Sequence, residues 1–212
     1  GSYTDEATGL RMNMLDAGMT CAVPSISITA GSATTGVQIT PLTSMAHAWA
    51  ERMAGGMTAT NIATANMRVG ATYLGPGMDI VMTHPIDPTM VGSANGASID
   101  AKNYGMILAA MSQQAQRLGM TTTSSPLVTA MHDDATDGVM DGMMNGTPVR
   151  MMGMGGMANG GNMMAATGSG DLADAMAMFV NGPMNRSGVT SAAEMQELMD
   201  QLHDLHDSGG RL

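Results

Sequence analysis

The sequence predicts a mainly α protein: an antiparallel helical bundle with a short N-terminal β segment of about three strands and an irregular Gly/Met-rich tract. Three observations predict it. First, Ser98 to Gly119 sets Tyr104, Ile107, Leu108, Met111, Ala115 and Leu118 at the spacing of one helical face, with Lys102, Asn103, Gln113, Gln116 and Arg117 largely on the other. Second, further stretches of the same period flank it and are joined by short connections, the pattern of an antiparallel bundle. Third, period-two alternation marks residues 1–40. The chain accordingly divides into a β segment (1–40), a helical bundle (41–142), a Gly/Met-rich tract (143–170) and C-terminal helices (171–212).

In the β segment Leu10, Met12 and Met14 alternate with Arg11 and Asn13, and Ile26, Ile28 and Ala30 with Ser27 and Thr29. Val37 and Ile39 flank Gln38 after a turn over residues 31–36. So thin a sheet needs a helix or another chain on one face, and its edges can accept a strand from another molecule. Thr40 and Pro41 supply the N-cap and first turn of a helix with Leu42, Met45, Ala46, Trp49 and Met53 on one face, stopped at Gly55 and Gly56. Thr58 caps a second, with Ile62, Ala65, Val69 and Tyr73 inward, ended by Gly75, Pro76 and Gly77. Pro85 and Pro88 keep residues 83–88 in a loop. Ser98 caps the long central helix, Asp100 suits its positive end, and Gly119 closes it. A fourth helix starts near Ser125 and Pro126 and turns Leu127, Val128, Met131 and Ala135 inward.

Residues 138–170 break the helical period. From Met143 to Gly170 glycine and methionine dominate and charge nearly vanishes. Glycine at that density is costly to order, so the tract reads as extended or irregular, held by contacts or mobile. Leu172, Ala175, Met176 and Phe179 then form a helical face, broken at Asn181, Gly182 and Pro183. Ser191 to Glu194 is a capping box for a last helix with Met195, Leu198, Met199, Leu202 and Leu205 inward.

Methionine is unusually abundant: 28 residues against 12 leucines, with aromatics at 2%. Its unbranched thioether chain fills irregular gaps and adaptable surfaces, so it takes the volume that leucine and phenylalanine fill elsewhere. The net charge is −10, and Lys102 is the single lysine. Without a basic cluster to neutralise phosphates, nucleic acid is not expected as a partner, and the same argument weighs against anionic membrane surfaces. Cys21, the one cysteine, makes no intrachain disulfide; it reads as a small buried residue or as a bridge between copies. The chain contains no apolar run of membrane-spanning length and opens on no signal peptide, although a start at Gly1 is compatible with removal of one.

The stretch from Ile39 to Gly142 resembles a helical module of bacterial secreted and cell-surface proteins that follows β-sandwich (carboxypeptidase-regulatory-like) domains. The pieces that carry the resemblance are Ile39 to Ala46, Thr58 to Asn66, the His84 to Thr89 loop, Tyr104 to Gln113 and Asp137 to Gly142; Gly1 to Gly9 is similar to the tail of such a β region. The resemblance implies export and a place at the cell surface. It brings no catalytic motif.

Three constellations carry candidate chemistry. Met151, Met152, Met154, Met157, Met163 and Met164 supply close-set thioethers, soft ligands suited to copper(I), or else packing surface. His203 and His206, three apart, share a helical face with Asp200 and Asp207 in reach, a weak metal pair or a solvated helix end. Asp133, Asp137 and Asp141 surround Gly138 and Gly142 in the manner of a calcium loop, but Ala135 and Met144 fall where that loop needs oxygen ligands. No nucleophile elbow, zinc-protease helix or phosphate loop occurs. The functional expectation is a non-enzymatic, extracellular structural or assembly protein that self-associates as a filament or surface layer. Met143, Met144, Met163, Met164, Leu198 and Leu202 are its candidate contacts with other copies. The alternatives are a copper(I)-binding or sequestering protein built on the methionine tract, and a hydrolase using His132 or His84.

Overall fold

The computed structural model describes residues 2–13, 18–25, 36–120, 125–149 and 169–212. Among them the chain is mainly α. The helices are α1 (Pro41–Arg52), α2 (Ala59–Leu74), α3 (Ile99–Arg117), α4 (Ser125–Asp134), α5 (Ser169–Val180) and α6 (Gln196–Asp207). Two hairpins accompany them: β1 (Ser2–Thr4) with β2 (Arg11–Asn13), and β3 (Met143–Met144) with β4 (Thr147–Pro148).

The starts of the first three helices follow their capping residues. The Thr40 side chain accepts from the Thr43 N–H, while the Thr43 hydroxyl accepts from the Thr40 N–H at 2.9 Å. Thr58 accepts from the Asn61 N–H and Ser98 from the Ala101 N–H, each at 3.2 Å. α3 is the axis of the fold, with α5 packed along it, α6 against α5 and α2, and α4 beside α1. It is buried on a wider arc than one amphipathic stripe: Met106, Ala109, Ala110 and Gln114 are enclosed together with Tyr104, Ile107, Met111 and Ala115. Small residues permit that enclosure. At Gly105 a Cβ would stand 2.5 Å from the carbonyl oxygen of Ile86, so the 83–88 loop lies directly on the helix backbone.

Tyr104 ties three segments together. Its hydroxyl is 2.6 Å from that of Thr40 at the start of α1 and donates to the Ile80 carbonyl at 2.9 Å. One apolar cluster runs from Ala22 to Leu212, with Met45, Met106, Met131 and Met176 among its completely enclosed members. The expected use of methionine as core filling holds at these positions.

The β segment departs from expectation. β2 falls where alternation placed it, with Met12 buried, but Leu10 lies outside the strand and is exposed. Its partner is Ser2–Thr4, too short to show an alternating pattern, in the register Ser2↔Asn13, Tyr3↔Met12 and Thr4↔Arg11. Val37 to Ile39 is not a strand: among the described residues it makes a single backbone link, from the Gln38 N–H to the Val81 carbonyl at 2.8 Å. The expected strand at 26–30 lies outside the described residues.

The start of the Gly/Met tract is also more ordered than expected. Residues 143–148 form the β3–β4 hairpin over an Asn145 with φ of 50° and Gly146 at 78°. The C-terminal residues bind the turn before it, with Met140 N–H donating to Gly210 and Leu212 N–H to Gly138.

Candidate functional site

The turn between β1 and β2 is folded by Asp5. Its carboxylate accepts from the Thr8 N–H at 2.9 Å and the Thr8 hydroxyl at 2.8 Å, and its own N–H donates to the Leu10 carbonyl. That Asx-type closure presents the next residue, Glu6, to the side of α3. There the Glu6 carboxyl accepts a hydrogen bond from the Ser112 hydroxyl.

Two hollows adjoin this carboxyl and share Thr4, Glu6 and Leu108. One, about 210 Å³, is walled by Leu108, Met111, Leu127 and Val128, with Thr40 and Ser112 among its polar members. The other, about 220 Å³, opens toward Pro85, Ile86, Asp87 and Pro88, with Gly105 as its floor. Among the described lining residues neither hollow carries a basic side chain. Burial pushes the Glu6 carboxyl up to about 7; the Ser112 hydrogen bond pulls the other way, and the nearby Asp5 and Asp87 charges add to the rise. A carboxyl titrating near neutrality inside an apolar hollow can give or take a proton, or receive a cation.

The residues singled out by sequence fall elsewhere. Met151, Met152, Met154, Met157, Met163 and Met164 lie outside the described residues. Met143 and Met144 form β3 and are half-buried. Leu198 and Leu202 are buried in the molecule's own core, so they do not stand ready as surface contacts with another copy. The apolar face of the last helix packs at home against α2 and α5. His203 and His206 are exposed on α6 and face the start of α5, where a Cβ at Gly170 would meet the His206 ring at 3.3 Å. Asp171 stands at the same junction; its carboxyl is raised by burial, against the pull of Arg117.

The aspartates around Gly138 are occupied with closing turns. Asp137 accepts from the Val139 and Asn145 N–H groups, Asp141 from Met143, and the fully buried Asp134 from Gly142 at 2.8 Å. Among the described residues His132 reaches its neighbour Asp133, at 3.1 Å, and His84 meets the Gln38 amide at 3.0 Å. No group of three or more His, Cys, Asp or Glu is placed to hold a metal among the described residues. Cys21 is half-buried against the core, and burial raises its thiol.

Glu6 escaped sequence reasoning. It sits in an acidic, polar stretch with no motif, and its hydrogen-bond partner Ser112 lies far along the chain. The one local signal is the pairing of a turn-forming Asp5 with an acid directly after it. No known protein family, curated protein or solved structure matches the chain.

Proposed function

We propose that this protein is a self-associating structural subunit acting outside the bacterial cell, as part of a filament or surface layer. The observation that supports it most is a run of large apolar side chains turned to solvent in the approach to α3: Met90 is 60% exposed, Val91 68% and Ile99 62%. Contiguous apolar surface marks contact sites, and these three residues lie within ten positions of one another along the chain. β1 and β2, which pair only with each other among the described residues, add strand edges that a second molecule can extend. Export rests on the resemblance of Ile39 to Gly142 to secreted and cell-surface modules. No helix is long and apolar enough to cross a membrane among the described residues.

Sedimentation velocity over a concentration series tests the reading. The wild type is expected to gain mass with concentration, and Val91→Ser with Ile99→Asn to hold it nearer the monomer. A wild type that stays monomeric at every concentration overturns the proposal.

A further inference from the structure

We propose that the paired hollows at Glu6 form a binding site for a small aliphatic primary amine, the ammonium on the Glu6 carboxylate and the alkyl chain along Leu108, Met111 and Leu127. The site is independent of self-association and is built from the β1–β2 turn, α3 and α4.

Three features of the geometry select this ligand. The carboxyl is half-buried beside apolar wall, where a charge without a counter-charge is costly. Among the described residues its one side-chain partner is the Ser112 hydroxyl, a neutral donor. The charged groups that act on it, Asp5 from the same turn and Asp87 from the facing loop, are both acidic; no base lines either hollow among the described residues. A cationic head supplies the missing counter-charge, and charge-assisted hydrogen bonds are the strong ones. A carboxylate ligand would add a further negative charge, and an alcohol would leave the anion uncompensated. The apolar hollow is small, about 210 Å³, so it takes a short alkyl chain, and hexylamine serves as the probe. The molecule's net charge of −10 also favours approach of a cation.

Binding requires the ionised carboxylate. Because burial holds Glu6 partly protonated near neutrality, the amine must displace that proton, and affinity rises with pH until the carboxyl is fully ionised.

Isothermal titration of the full chain with hexylammonium chloride, hexanol and sodium hexanoate tests the site. Hexylammonium is expected to bind at least about tenfold more tightly than either other probe at pH 8, and about tenfold more weakly at pH 6 than at pH 8. Glu6→Gln, checked for its fold by circular dichroism, is expected to erase the preference for the amine. Absence of hexylammonium binding, equal or better binding of hexanol or hexanoate, or an affinity independent of pH overturns the proposal. Each of these is read on the wild type, so the test stands even where Glu6→Gln fails to fold.

Discussion

Glu6 makes the stability of the molecule depend on pH in an unusual direction. Its carboxyl is raised in the folded state to about 7 from an ordinary value near 4.5. Between those values the folded chain holds a proton that the unfolded chain has released, so stability falls as pH rises through that window. The contribution is fully present below the unfolded value and is lost above the folded one. The urea midpoint of the wild type is therefore expected to drop more between pH 5 and pH 8 than that of Glu6→Gln, in which the position does not titrate. Comparing the two isolates Glu6 from the opposite influence of Glu194, whose carboxylate is held below the usual range chiefly by the Thr190 N–H and also by the Thr190 hydroxyl and the Ser191 N–H. Equal slopes for the two chains would remove the argument that burial controls Glu6. At this scale little was legible beforehand: an acid in a turn looks the same in sequence whether it meets water or a serine 106 positions away.

Among elements, legibility follows how local the deciding chemistry is. The caps Thr40, Thr58 and Ser98 bind N–H groups three residues ahead, and all three helices start where those residues predict. Loss of such a cap is felt by the helix as a whole. Ser98→Ala is expected to cost about 0.5–2 kcal/mol, read as a lowered urea midpoint with unchanged slope. The strands were less readable because pairing is decided by a partner. Val37 to Ile39 alternates like a strand, yet among the described residues it meets one hydrogen-bonding carbonyl, from Val81, and the segment passes by as coil. Ser2 to Thr4 shows no pattern and is a strand because β2 folds back on it. The closing hairpin at 143–148 was hidden by the glycine and methionine around it, although Asn145 and Gly146 are the residues that tolerate its turn. The inward face of the last helix was readable, but not what it packs against: Leu198 and Leu202, also candidate contacts with another copy, are buried against α2 and α5.

For the whole molecule, methionine is the material of the interior. Met45, Met106, Met131 and Met176 sit in one continuous cluster without contact with solvent. If they serve as adaptable filling, replacing each by leucine keeps volume and polarity nearly constant. Each swap is expected to cost less than about 1.5 kcal/mol, and the quadruple variant to keep a cooperative thermal transition. A loss several times larger at any one of them would show that the thioether has a role beyond occupying space. The same abundance continues at the surface, where Met67, Met82 and Met90 are exposed. That the interior and the exterior draw on one residue type explains why composition foretold the core but could not separate it from the contact surface.

The turn at Gly138 has one more consequence. Trp49, the chain's single tryptophan, lies so close over this glycine that a Cβ there would come within 2.7 Å of the indole nitrogen. The same glycine accepts from Leu212 through its carbonyl, and the backbone beyond it is pinned by Asp134 and Gly210. The indole is thus a built-in optical gauge: its emission should shift when Gly210 and Leu212 let go of this corner.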